Sequence, residues 1–234
     1  MSSIWNWLFG GSDREEGTPR IDAPGPFVRE GEEKASPGPV APELADEIRG
    51  HLRREIAAGY EDEDYIIDGA VDIFLDEHED EAALRALALN LWPDLVAEHR
   101  ALQADWPEVT DYDRLHAAFT ALEAKGIVSR EHFTCCSTCG SAEIWDEIEA
   151  VTEAGGAARG YTFFHWQDTE SAVEGGGVYL SYGACEEGEG PALGIAREIV
   201  AELKAHDLPT DWNGSWGMKI GVPLDWKRRS AYAA

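Results

Sequence analysis

The sequence predicts an α+β fold: a helical N-terminal half packed with a small mixed β-sheet that is flanked by helices in the C-terminal half. Three observations lead there. Apolar residues recur at helical spacing almost without a break over residues 43–125. After Gly126 short apolar runs bounded by turn residues replace that period, as strands do. Helical stripes then return between those runs, so helices are expected to pack beside the sheet.

Residues 1–41 stand apart from this pattern. They hold repeated Pro and Gly with scattered charge, GGSDREEGTPRIDAPGPF and then GEEKASPGPVAP. Such a composition buries too little apolar surface to offset chain entropy, which predicts a disordered acidic arm. Its tip, Ile4, Trp5, Trp7, Leu8 and Phe9, is either a docking peptide or a weakly packed end. Residues 42–234 are expected to form a single α+β domain, with its helical part over 42–125 and its sheet-containing part over 126–234.

Within the domain, Leu44, Ile48, Leu52 and Ile56 mark one face of a helix that Gly59 ends. Ile66, Ala70, Ile73 and Phe74 mark a second helix. A third starts near Asp80, a natural cap, and turns Leu84, Leu87, Ala88 and Leu91 inward. Pro93 is expected to kink or restart it before Leu95, Val96, His99 and Leu102. Thr110 and Asp113 have capping-box spacing ahead of Leu115, Ala118, Phe119 and Leu122. Ile127 and Val128 open a short strand, and Ile144, Trp145 and Ile148 mark a helix ending at Gly155 and Gly156. Tyr161 to Gln167 is apolar on both alternating faces, which predicts a central strand. Asp168 is then the expected cap of a short turn over Thr169–Glu174, released by Gly175, Gly176 and Gly177. A strand over Val178–Tyr182 follows. Pro191 opens a helix with Ala192, Ile195, Ala196, Ile199 and Leu203 inward, and a last strand falls within Met218–Leu224.

The chain carries 46 acidic and 19 basic residues, a formal charge of −27. That charge opposes nucleic-acid backbones and anionic membranes and favours a basic protein partner, although a merely solvated acidic surface explains it equally. No apolar run approaches the roughly 18 residues of a membrane span, and the start lacks the basic region of a secretion signal. A cytoplasmic protein is the expectation. The acidic runs Glu61–Asp64 and Asp76–Glu81 lack the alternation and central glycine of a calcium loop and read as solvated helix ends. Lys227, Arg228 and Arg229 form the one basic cluster, too small to argue for nucleic acid.

Two groups of residues have the types that chemistry needs. Cys136-Ser-Thr-Cys139 is a CxxC where a strand hands over to a helix, and a helix N-terminus lowers a thiol pKa. A redox pair there is conceivable, but a thioredoxin-like βαβ context is not evident in the sequence. A zinc site needs four converging N or S ligands: Cys136 and Cys139 supply two, with His132, His165 and Cys185 as further candidates. Cys135 adds little, because adjacent side chains diverge. The bland alternative for all four cysteines is that of small buried hydrophobes, with no cofactor. In the second group, strand alternation puts His165 and Gln167 on one face, with Asp168 and Glu170 at the strand exit. His with carboxylates can do acid–base work, so His165, Asp168 and Glu170 are catalytic candidates and Gln167, Asp168 and Glu170 binding candidates. Equally, Asp168 caps a turn, Glu170 complements its dipole and His165 is a satisfied core histidine.

Three phrases, GIVSREHFTCCSTCGSAEI, GYTFFHWQDTESAVEGGGVYLSYG and WNGSWGMKIGVPLDWKRR, together resemble a group of bacterial proteins, the domain of unknown function numbered 6891. The resemblance covers roughly residues 110–229. It implies no activity, cofactor or catalytic residue that carries over. It also implies that the cysteines at 135–139 are not shared by every relative, which argues against an essential metal or redox role. The functional reading is therefore a non-enzymatic binding protein that masks a basic partner. The alternatives are a small enzyme using His165, Asp168 and Glu170, or a zinc or redox site at Cys136 and Cys139.

Overall fold

Pro42 sits in the first turn of α1 (Pro42–Ala58), where a missing N–H leaves no hydrogen bond unmade. A computed structural model describes residues 38–230, which fall in one compact unit. The arm expected over 1–41, with its aromatic tip, lies almost wholly outside the described residues. Leu44, Ile48, Leu52 and Ile56 bury on one face of α1, and Gly59 ends it in the left-handed region at φ 75°.

Asp62 caps α2 (Glu63–Phe74) by accepting from the Tyr65 N–H. The buried stripe of α2 is Ile66, Ile67, Ala70, Val71 and Phe74, while Ile73, expected inward, is 56% exposed. Asp80 caps α3 (Glu81–Ala104), which continues through Pro93 as one helix rather than restarting. Leu102, placed on its inner face by periodicity, is 63% exposed. These three helices enclose a core of their own around Ile48, Leu52, Ile56, Ile66, Leu84 and Leu95.

A second core begins with α4 (Asp111–Ala124), opened by the reciprocal Thr110–Asp113 capping box. The sheet runs β1 (Ile127–Arg130), β2 (Gly160–Phe163), β3 (Val178–Ala184) and β4 (Ile220–Val222) in that spatial order. β1 and β2 are parallel, with Ile127 opposite Gly160, and α5 (Ser137–Glu153) connects them as a βαβ unit. β2–β3 and β3–β4 are antiparallel, with Gly160 opposite Ala184 and Leu180 opposite Ile220. One sheet face packs Ile127, Phe164, Val178, Leu180 and Ile220 with α4 and α7 (Glu189–Ala205). The other packs Val128 and Phe163 against Ile144 and Ile148 of α5. α4 thus shares its core with the sheet rather than with the helices upstream of it.

The stretch from Tyr161 to Gln167 departs from its expected form. The strand stops at Phe163, the chain turns at His165, and α6 (Trp166–Val173) begins. Its N-cap is His165, with Asp168 three residues inside as the capping-box partner. Four aromatic rings at Phe163, Phe164, His165 and Trp166 give the run a strand-like apolar pattern and hide the cap, because His rarely stands at this position. β3 extends to Ala184, past the expected Tyr182.

The segment after β4 straps the two cores together. Trp226 is buried, and its indole N–H donates to the Ala57 carbonyl at 3.0 Å. The side-chain amide of Gln103 donates to Ser230 Oγ at 3.2 Å. Among the described residues, no helix is long and apolar enough to cross a membrane.

Close approach of α5 to β2 depends on Gly140, where an added Cβ would meet the Phe163 ring at 2.5 Å. Gly194 in α7 has open space instead. Gly140→Ala is expected to lower stability by about 1–3 kcal/mol through overpacking, and Gly194→Ala to raise it by roughly 0.5–1 kcal/mol through helix propensity. Chemical denaturation of the two variants checks both signs.

Candidate functional site

The turn between β1 and α5 holds two non-glycine residues in the left-handed region, His132 at φ 49° and Thr134 at φ 58°. Such conformations persist where surrounding bonds over-determine them. Here the Phe133 N–H donates to Phe164 O at 2.8 Å and the Trp166 N–H to Thr134 O at 3.1 Å. The turn inserts the His132 ring between Tyr60 and Trp166, with centroids 4.3 and 5.4 Å away and planes within 8° and 19° of parallel. His132 Nδ1 is 2.9 Å from Thr169 Oγ1, and Nε2 is 3.9 Å from Glu61 Oε1. Burial, and then the charge of Arg228, push its pKa down to about 4, so it is neutral at pH 7. Arg228 lies 4.1 Å over the Tyr60 ring, and its Nε donates to Tyr112 Oη.

Beside this stack, α1, α2 and α6 enclose a pocket of about 570 Å³. Its walls include Glu55, Glu61 and Glu170, with Ile66 and Trp166 as apolar surface and, among the described residues, Arg54 as the single Lys or Arg. Burial first, then the like charges of Glu170 and Glu61, raise the pKa of Glu55, and Arg54 opposes this least of the contributing groups. Glu61 is raised by burial and by Asp62. Asp68, on the α2 wall, is held by Arg85 at 2.6 Å. Among the described residues, no ion pair reaches Glu55 or Glu170. The pocket therefore concentrates negative charge that Arg54 and, at Asp68, Arg85 offset only in part.

On its other side, α6 begins in a buried polar network. The His165 N–H donates to Asp168 Oδ2 at 3.0 Å, and His165 Nε2 is 2.9 Å from Ser137 Oγ. Lys219 Nζ donates to Ser137 Oγ at 2.8 Å and lies 3.3 Å from His165 Nε2 and 3.9 Å from Asp168 Oδ2. The Asp168 N–H donates to His165 Nδ1 at 3.3 Å, which closes the capping box, and Nδ1 lies 3.2 Å from Asp168 Oδ2. Burial lowers the His165 pKa, against the pull of Asp168 and with the help of Lys219. The order Ser137, His165, Asp168 is that of a proton relay. Yet the His165 and Asp168 side chains are only 7% and 6% exposed, and neither is part of the pocket wall. The arrangement ties α5, α6 and the residue before β4 together.

The candidates from sequence thus divide. His165 and Asp168 meet in the closed network, Glu170 faces the pocket, and Gln167 is exposed. Cys136 is the N-cap of α5 and Cys139 lies one turn in. Cys135 joins them: its sulfur is 3.5 Å from that of Cys139, and all three sulfurs lie within 4.8 Å of one another. Adjacent side chains do converge here, because the helix carries Cys139 back over the turn. His132, His165 and Cys185 are not in this group; Cys185 packs against the Val128–Phe163 core. Sequence reasoning missed Ser137 and Lys219, which only the fold brings to His165, and Glu55. Glu61 had been grouped with solvated helix ends and instead lines the pocket.

His132 has a depressed pKa, so its contribution to stability is full above about pH 6.5, the model-peptide value, and is lost as pH falls toward 4. His132→Asn keeps a residue type that tolerates φ > 0. It is expected to destabilise most above pH 6.5, with the difference from wild type shrinking in acid, as thermal unfolding across pH 4–8 will measure.

Comparison with known sequences agrees with the resemblance carried by the three quoted phrases. The model of the family described as "Domain of unknown function (DUF6891)" matches residues 41–230. No match is found among the curated proteins or the solved structures. The match takes in all seven helices and four strands described above, and the chain belongs to the DUF6891 family.

Proposed function

We propose that this is a non-enzymatic cytoplasmic binding protein whose acidic pocket receives a cationic group, an amine or guanidinium, from a basic protein partner. The observation that carries the reading is the state of Glu55: largely buried, crowded by Glu170 and Glu61, and reached by no ion pair among the described residues. A cation entering there relieves like-charge repulsion and gains charge-assisted hydrogen bonds. Trp166, 38% exposed in the pocket wall, offers a ring face to the same cation. The volume lies in the range of small-ligand sites.

The overall charge of −27 draws basic partners toward the surface and repels nucleic acids and anionic membranes. The basic cluster near the C-terminus supports the same exclusion, since Lys227 pairs with Asp225, Arg228 stacks on Tyr60 and Arg229 pairs with Asp113. The alternative of a small enzyme using His165, Asp168 and Glu170 has less support, because Glu170 faces the pocket while His165 and Asp168 are enclosed.

Calorimetric titration with N-acetyl-arginine amide at low salt tests the pocket. One saturable site per chain is expected, weakened by roughly 10-fold or more in Glu55→Gln, as loss of a charged hydrogen-bond partner implies. Because the folded pKa of Glu55 is raised, its ionisation at pH 7 costs stability. Glu55→Gln is therefore also expected to raise the Tm at pH 7, and wild-type affinity to fall as pH drops and Glu55 protonates. Equal affinity in wild type and Glu55→Gln would remove the pocket from the function.

A further inference from the structure

A second site lies away from the pocket, at the start of α5. β1, α5 and β2 form the βαβ unit that was not evident from sequence. Cys136 stands at the N-cap of its helix and Cys139 in the first turn. The thiols are free, Cys135 is exposed, and Cys136 and Cys139 are partly so, so a second molecule's sulfur can approach. The three sulfurs lie within 4.8 Å of one another. A closed zinc site needs four ligands, and among the described residues no His, Cys, Asp or Glu completes this group. A pair of thiols at a helix N-terminus suits a different chemistry, in which one sulfur attacks and the other resolves.

We propose that Cys136 and Cys139 form a thiol–disulfide exchange site, with Cys136 attacking a substrate disulfide and Cys139 resolving the product. In the first step the Cys136 thiolate attacks one sulfur of R–S–S–R′. A Cys136–S–S–R bond forms, the substrate S–S bond breaks, and R′S⁻ leaves with the electron pair. In the second step Cys139 gives up its proton to solvent and attacks Cys136 Sγ. An intramolecular disulfide forms and RS⁻ leaves. The substrate disulfide is reduced to two thiols while the Cys136–Cys139 dithiol is oxidised, so electrons balance without a further reagent. The reverse direction hands the disulfide to a dithiol substrate.

The local environment supports this division of roles. The N–H groups of Cys139 and Thr138, followed by the neighbouring thiols, lower the pKa of Cys136. Cys139 is pushed up to about 11 by Cys135 first and Cys136 next. Once Cys136 is tied in a mixed disulfide it carries no negative charge, and its share of that elevation disappears. Cys139 then ionises more readily than in the free dithiol, although Cys135 still holds it up. Cys185 is raised by burial and serves as an internal reference thiol.

The test uses the full reduced chain with two disulfide probes, oxidised glutathione and the interchain disulfides of insulin. Peptide mapping is expected to find a Cys136–Cys139 disulfide after reaction with at least one probe. Glutathione alone identifies a small-thiol source, and insulin a protein source. Cys139→Ser is expected to accumulate a mixed disulfide at Cys136, Cys136→Ser to form neither product, and Cys135→Ser still to form the Cys136–Cys139 disulfide, at an altered rate because Cys135 acts on both thiols. If a variant fails to fold, alkylation of the wild-type thiols decides. Cys136 is expected to react about 10-fold or more faster than Cys185, in keeping with its greater thiolate fraction. Inertness to both probes, a disulfide mapped to Cys135 instead of Cys136, or one tightly held zinc per chain blocking Cys136 would each overturn the proposal.

Discussion

The turn at His165 is the constraint on which the rest of the structure depends. The main chain leaves β2 at Phe163 and must become helical within two residues, and the His165–Asp168 capping box makes that change possible. Asp168 is a buried carboxylate, and burying a charge is tolerated only when it is hydrogen-bonded or paired. The His165 N–H and, at 3.9 Å, Lys219 answer that demand. Lys219 and Ser137 come from either end of the sheet-containing half, so one short turn fixes α5, α6 and the approach to β4 at once. The same turn orients α6 so that Trp166, Thr169 and Glu170 face α1 and α2 and close the pocket.

Polar residues on the two sides of α6 therefore obey opposite rules. On the network side every group has a partner, and the result is rigidity. On the pocket side three carboxylates share one cavity, and among the described residues no ion pair reaches Glu55, whose burial and crowding cost stability in the free protein. Features of that kind gather at sites where a ligand supplies the missing interaction. His132 marks the boundary, being strained in backbone, neutral in charge and stacked between Tyr60 and Trp166. The aromatic column, which Arg228 extends beyond Tyr60, gives the pocket a firm wall whose neutral imidazole adds no positive charge beside Glu61.

Much of the fold was legible because periodicity is a local signal. The stripes of α1, α4 and α7 and the Thr110–Asp113 box were visible in the sequence, and their inner residues are the buried ones. In α2 the same reasoning took Ile73 for a core residue, since a five-residue choice of phase decides between it and the pair Ile67 and Val71. The turn at His165 was hidden because aromatic residues satisfy a strand pattern as well as a helix entry. The pocket was hidden for another reason. Glu55 sits on a helix, Glu61 in a turn and Glu170 on another helix, and no spacing in the chain announces that they converge. Ser137 and Lys219 are 82 residues apart and meet only through the sheet. Cys135 was set aside by a rule about adjacent side chains that a helix start does not obey.

The central claim is that the acidic pocket is built for a cation. A crystal structure of the protein soaked with guanidinium at pH 7 tests it most directly. The expected result is one ordered guanidinium hydrogen-bonded to Glu55 and Glu170 and stacked against Trp166, absent from crystals of Glu55→Gln. A pocket left empty while guanidinium occupies other acidic surfaces would contradict it.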